Sequence, residues 1–90
     1  MISVVSNILP RELITLVRAA LAGDYVKARA MHYKLLPVLR ALFVETNPIP
    51  VKAATAMLGM CENELRLPLT PLTEENRKKL TEALKGAGLL

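Results

Sequence analysis

Phe43-Val44-Glu45-Thr46-Asn47-Pro48-Ile49-Pro50-Val51-Lys52 divides this chain into two helical halves. A residue before proline is pushed out of the α region, so Asn47 and Ile49 hold non-helical backbone. Pro50, which has no N–H to lose at a first helical turn, can begin a helix. The stretch therefore reads as a rigid corner that fixes the angle between two helices. Asn47 can hydrogen-bond its own backbone neighbours in such a turn. Lys52 stands near the start of the second helix, with Glu45 as a candidate ionic partner.

Upstream of the corner, Ala28, Met31, Leu35, Val38, Leu39 and Leu42 alternate three- and four-residue steps, a helix stripe that Asp24 can cap. Pro37 removes one backbone hydrogen bond from that helix and is expected to kink or divide it near Tyr33 to Leu36. An earlier helix begins at Pro10, carries Leu13, Ile14, Val17, Ala20 and Leu21 on one face, and ends at Gly23 in a left-handed cap. Ahead of it, the β-branched run in Ile2–Val5, closed by Ser6-Asn7, reads as a short buried strand. A lone strand leaves its N–H and C=O groups without partners, so the run points to a sheet whose other strands lie elsewhere.

Downstream, the helix from Pro50 runs to about Leu58 and stops at Gly59. Leu65 to Leu72, with Pro68 and Pro71, is an extended connector. Thr73 caps a last helix with Glu74 and Glu75 at its positive end and Lys85 at its negative end, and Gly86 and Gly88 terminate it.

Ninety residues at 52% hydrophobic suffice for one small domain, and an aromatic share of 3% leaves the core to aliphatic side chains that suit helix packing. The net charge of +4 is scattered, with only Arg77-Lys78-Lys79 adjacent, so no electrostatic footprint for nucleic acid is formed. No signal peptide is recognisable in Met1–Pro10, and charges interrupt every apolar run before it could span a bilayer. A single cysteine, Cys61, forms no internal disulfide and fits a reducing compartment, so the chain reads as cytoplasmic.

Chemistry-bearing motifs are sparse. His32 has no second ligand at metal-binding spacing, Cys61 no base, and Glu62 and Glu64 fall in a loop. Glu74 and Glu75 are explained by the helix dipole. A lysine near a helix start can be prepared for Schiff-base chemistry by desolvation, but hydrogen bonds or an ion pair account for Lys52 more simply. Taken by motif alone, the chain carries no catalytic site and no metal site.

Phe43–Lys52 and the later Leu65-Arg66-Leu67-Pro68-Leu69-Thr70-Pro71-Leu72 together resemble the dihydrodipicolinate synthase family. Ile2-Ser3-Val4-Val5-Ser6-Asn7 looks like its eighth barrel strand, and Ala83-Leu84-Lys85-Gly86-Ala87-Gly88-Leu89-Leu90 like its carboxy terminus. The resemblance implies a pyruvate-dependent lyase of lysine (diaminopimelate) biosynthesis. Such an enzyme condenses pyruvate with aspartate semialdehyde through a Schiff base, as a homotetramer without organic or metal cofactor. Its fold is a (β/α)8 TIM barrel of about 250 residues. This chain would be mostly α: residues 1–22 the final βα unit, with the last β-strand and its helix, and residues 23–90 a carboxy-terminal helical region.

The resemblance places the Schiff-base lysine, the relay tyrosine and threonine and the substrate-binding arginine outside these residues, so Lys52 is not the nucleophile. Ile2 matches the isoleucine that lines the pyruvate pocket, while Asn47, Pro48, Ile49, Pro50 and Lys52 form a structural motif. Met1 stands where the family varies, as an internal residue or an introduced start. The expected partners are the remainder of the barrel and further copies of the subunit, with no membrane or nucleic acid, and the chain alone is expected to be inactive. Two alternatives stand beside this: a related Schiff-base lyase acting on sialic acid or sugar acids, and a freestanding helical interaction module.

Overall fold

Two of the four α-helices start at a side-chain cap and two at a proline, which has no N–H to leave unsatisfied. A computed structural model describes residues 2–90; Met1, with both readings of it, lies outside the described residues. The helices are α1 (Pro10–Leu21), α2 (Tyr25–Ala41), α3 (Ile49–Met57) and α4 (Glu74–Gly86). Pro10 opens α1, and Asp24 caps α2 by accepting from the Lys27 N–H at 3.2 Å. Between them Gly23, at φ +80°, lets the Asp24 N–H reach the Ala19 carbonyl at 2.9 Å. That bond completes a Schellman closure that an L side chain would strain. Thr73 caps α4 by accepting from the Asn76 N–H at 3.3 Å. Gly88, at φ +79°, makes the terminating turn after α4, whereas Gly86 is still helical.

The mostly α expectation is borne out, but the strand is not: among the described residues there is none, and Val5–Asn7 form a 3-10 turn. No neighbouring strand offers Ile2–Val5 a ladder, and local polar groups take the backbone instead. The Ser6 hydroxyl donates to the Ser3 carbonyl at 2.7 Å, and the Asn7 amide donates to the Val4 carbonyl at 2.9 Å. The turn drives Val5 inward, where it is buried with Ile8 and Leu9.

Pro37 does not divide α2, which runs unbroken through it. Both Pro37 and Tyr33, whose carbonyl loses its helical donor, face solvent, so water can satisfy the freed oxygen. On the opposite side of α2, Leu35, Val38 and Leu42 join Val5, Leu13, Val51, Leu80 and Leu84 in one core. The turn at Gly23 folds α2 back along α1, and α4 packs on both α2 and α3. Leu42, Leu80 and Leu84 are fully buried, each contributing about 1.5–3 kcal/mol by removal from water. The predicted stripe of α1 is only partly used: Leu13 is buried and Val17 and Ala20 half-buried, but Ile14 and Leu21 remain exposed, because nothing among the described residues covers that side.

Candidate functional site

The 3-10 turn and the start of α3 come together, so the two stretches flanking the first core helices share one surface. Asn7, Pro48, Val51, Lys52 and Thr55 line an open concavity of about 210 Å³ there. Val51 is buried beneath it, whereas Lys52 is half-buried. Thr55 points its hydroxyl back to the Val51 and Lys52 carbonyls, at 3.1 and 2.9 Å. Its oxygen lies 3.2 Å from the sulfur of Cys61, which is exposed. The concavity thus has an apolar floor, one cation and one amide.

The corner motif is built by backbone. Asn47–Pro48 is a cis peptide, and the Ile49 N–H closes the turn by donating to the Thr46 carbonyl at 2.9 Å, in place of the expected Asn47 side-chain bond. Ile49 and Pro50 are buried at the first turn of α3. Asn47 and Pro48 are exposed. Ile2 is fully exposed ahead of the turn, its side chain free of the core.

Glu45 takes a different partner from the one its sequence position suggested. Its carboxylate accepts from the Asn76 side-chain amide at 2.9 Å and from the Thr73 N–H at 3.0 Å. These donors hold the carboxyl below its ordinary value of 4.5, the Asn76 amide contributing most, followed by the Thr73 N–H, against a smaller opposing effect of burial. The ion pair among the described residues is Lys79–Glu75 at 3.5 Å, between exposed side chains of α4, so Lys52 and Glu45 are not paired. A backbone N–H and a side-chain amide at the start of α4 take the Glu45 carboxylate instead of the Lys52 amine. The signal was present in the sequence: Thr73 caps α4, and Asn76 three residues on faces the same end.

The remaining candidates are dispersed. His32 is exposed and tilts against Tyr33 with ring centroids 5.5 Å apart. Glu62 and Glu64 are exposed in the connector, and no group of three or more His, Cys, Asp or Glu among the described residues is arranged to hold a metal ion. No helix of the described residues is long and apolar enough to cross a membrane. A second open depression, about 350 Å³ along Leu13, Ile14, Val17 and Arg18, is an uncovered side of α1 without chemistry-bearing groups other than the Arg18 cation.

Known proteins share this arrangement. The model of the dihydrodipicolinate synthetase family matches residues 1–87. The 4-hydroxy-tetrahydrodipicolinate synthase of Aquifex aeolicus is 58% identical over 84 residues, 93% of this chain and 29% of the relative. The crystal structure of dihydrodipicolinate synthase from Aquifex aeolicus superposes with a TM-score of 0.96 at 57% identity, covering 98% of this chain and 30% of that one. The chloride-inhibited dihydrodipicolinate synthase from Acinetobacter baumannii complexed with pyruvate superposes at 0.95 with 42% identity, covering 99% of this chain and 31% of that one. The chain thus spans about a third of the length of these relatives and aligns with their carboxy-terminal part. With residues 1–87 matched by the family model and 93% of the chain aligned at 58% identity, the chain belongs to the dihydrodipicolinate synthetase family.

Proposed function

We propose that this chain is the carboxy-terminal segment of a 4-hydroxy-tetrahydrodipicolinate synthase, a lyase of lysine (diaminopimelate) biosynthesis that binds pyruvate as a Schiff base and condenses it with aspartate semialdehyde. The observation that carries this reading is the near-complete superposition of the chain on one third of the Aquifex aeolicus enzyme. The pyruvate in the Acinetobacter baumannii relative supports the substrate. Residues 1–22 act as the final βα unit and residues 23–90 as the helical region after it. Ile2, exposed at the edge of the core, lines the pyruvate pocket once the other strands are in place. The Asn47-Pro48-Ile49-Pro50 corner and Lys52 hold α3 against the turn that follows Ile2.

The Schiff-base lysine and the proton relay come from the remainder of the barrel, and the chain by itself has no lyase activity. The uncovered side of α1, with Ile14 and Leu21 exposed, is suited to pack against that remainder. The complete enzyme is a cytoplasmic homotetramer, and this reading assigns it no cofactor. Assaying the complete subunit for consumption of pyruvate and aspartate semialdehyde, beside cleavage of sialic acid, tests the proposal. Turnover of the semialdehyde is expected; sialic-acid cleavage alone would assign the segment to a different Schiff-base lyase.

A further inference from the structure

Immediately after Ile2 the chain is closed on itself by three polar side chains. Ser3 and Ser6 exchange two bonds: the Ser6 N–H donates to the Ser3 hydroxyl oxygen at 3.3 Å, and the Ser6 hydroxyl donates to the Ser3 carbonyl at 2.7 Å. Asn7 adds two more, its backbone N–H and its side-chain amide both donating to the Val4 carbonyl, at 3.1 and 2.9 Å. Beneath the turn Val5 is buried in the core, and Asn7 lines the concavity with Pro48 and Lys52.

Ile2, Val4 and Val5 favour extended backbone, and nothing in their composition says where extension should stop. Ser and Asn side chains compete for backbone groups by local bonds, and here they set that point. Its place matters because side chains of extended chain alternate between two faces. An end displaced by one residue would turn Ile2 away and bring Ser3 round in its place. The superposition on the pyruvate complex of the Acinetobacter baumannii enzyme takes in 99% of this chain, so its backbone path is one that a complete, pyruvate-bound subunit accommodates.

We propose that Ser6 and Asn7 are positioning residues for pyruvate binding: by closing the turn on the Ser3 and Val4 carbonyls they fix the register of Ile2 and set its side chain in the pyruvate pocket. Both act through Ile2 and not on the substrate. The assignment rests on the reading of Ile2 as a pocket residue.

The test is steady-state kinetics of the complete subunit carrying this segment. Ser6→Ala combined with Asn7→Ala removes the side-chain bonds to both carbonyls and should raise the KM for pyruvate about 10-fold, with kcat and the KM for aspartate semialdehyde within about 2-fold of wild type. Each single substitution, which leaves the other bond in place, should raise it about 3-fold. Ser6→Thr combined with Asn7→Ser keeps a hydroxyl donor at both positions and should restore the wild-type value. Ile2→Ala, assayed alongside, separates this role from the reading beneath it. A raised pyruvate KM in Ile2→Ala without one in the Ser6 and Asn7 variants would overturn the positioning role and leave the pocket reading standing. No rise in any variant would overturn both. Equal rises in the two KM values, or no rescue by the hydroxyl pair, would make the turn a matter of stability alone and overturn the positioning role.

Discussion

The Glu45 carboxylate reaches across 31 residues to the Asn76 side-chain amide at 2.9 Å, tying the corner after α2 to the start of α4. The same oxygen also satisfies the Thr73 N–H, so a remote side chain supplements the local cap. Glu45→Gln can keep both bonds on its single carbonyl oxygen but removes the negative charge that strengthens them, whereas Glu45→Ala removes both bonds. Hydrogen exchange should therefore speed up across residues 74–86 in the order wild type, Gln, Ala. The fall in Tm should be smaller than that produced by truncating a core leucine of α4. Unchanged exchange in α4 would contradict this role.

The tether also has a pH dependence of defined sign. Folding lowers the Glu45 carboxyl below its ordinary 4.5, so as acid is added the unfolded chain takes up the proton first. The contribution is complete above that value and is lost as pH falls through the lowered folded value. The stability difference between wild type and Glu45→Gln, measured by urea unfolding, should be flat from neutral pH to about 5 and shrink below it. A difference that grew on acidification would refute the assignment.

Leu80 and Leu84 are the two buried residues of α4, and both are fully enclosed. Leu84→Ala should cost about 2–5 kcal/mol in urea unfolding, a large share of the roughly 5–15 kcal/mol of a small domain. Leu90, which is exposed, should tolerate the same change within about 0.5 kcal/mol.

Much of this architecture was legible in the residues. Pro10, Asp24, Thr73 and the glycines after α1, α3 and α4 announced the helix ends because capping is a local transaction between neighbouring groups. The failures were all non-local. Ile2–Val5 has strand composition, but whether a strand forms depends on a partner, and Ser3, Ser6 and Asn7 close a turn when none is present. Pro37 looked like a break because its lost bond is visible in sequence, while its exposure, which makes the loss tolerable, is not. Glu45 was matched to Lys52 by proximity along the chain, when its partner lay at the far side of an irregular connector. Of the candidate site, the Asn47–Lys52 motif was readable, but not its approach to Asn7.

Asp24 gives the local counterpart to the Glu45 tether. Its Oδ1 accepts one bond from the Lys27 N–H at an exposed helix start. Asp24→Ala should cost about 1 kcal/mol in urea unfolding and speed exchange only in the first turn of α2. Loss spread over the whole of α2 would show that the cap does more than satisfy one N–H.

Complementation tests the central claim most directly. The 4-hydroxy-tetrahydrodipicolinate synthase of Aquifex aeolicus, truncated just before its matching segment, would be produced with and without this chain and assayed for condensation of pyruvate with aspartate semialdehyde. Neither piece should turn over substrate alone, and the pair should copurify and regain activity, which Ile2→Asp should abolish. Copurification without activity, or turnover by this chain at an intact mass that excludes any other polypeptide, would contradict the account.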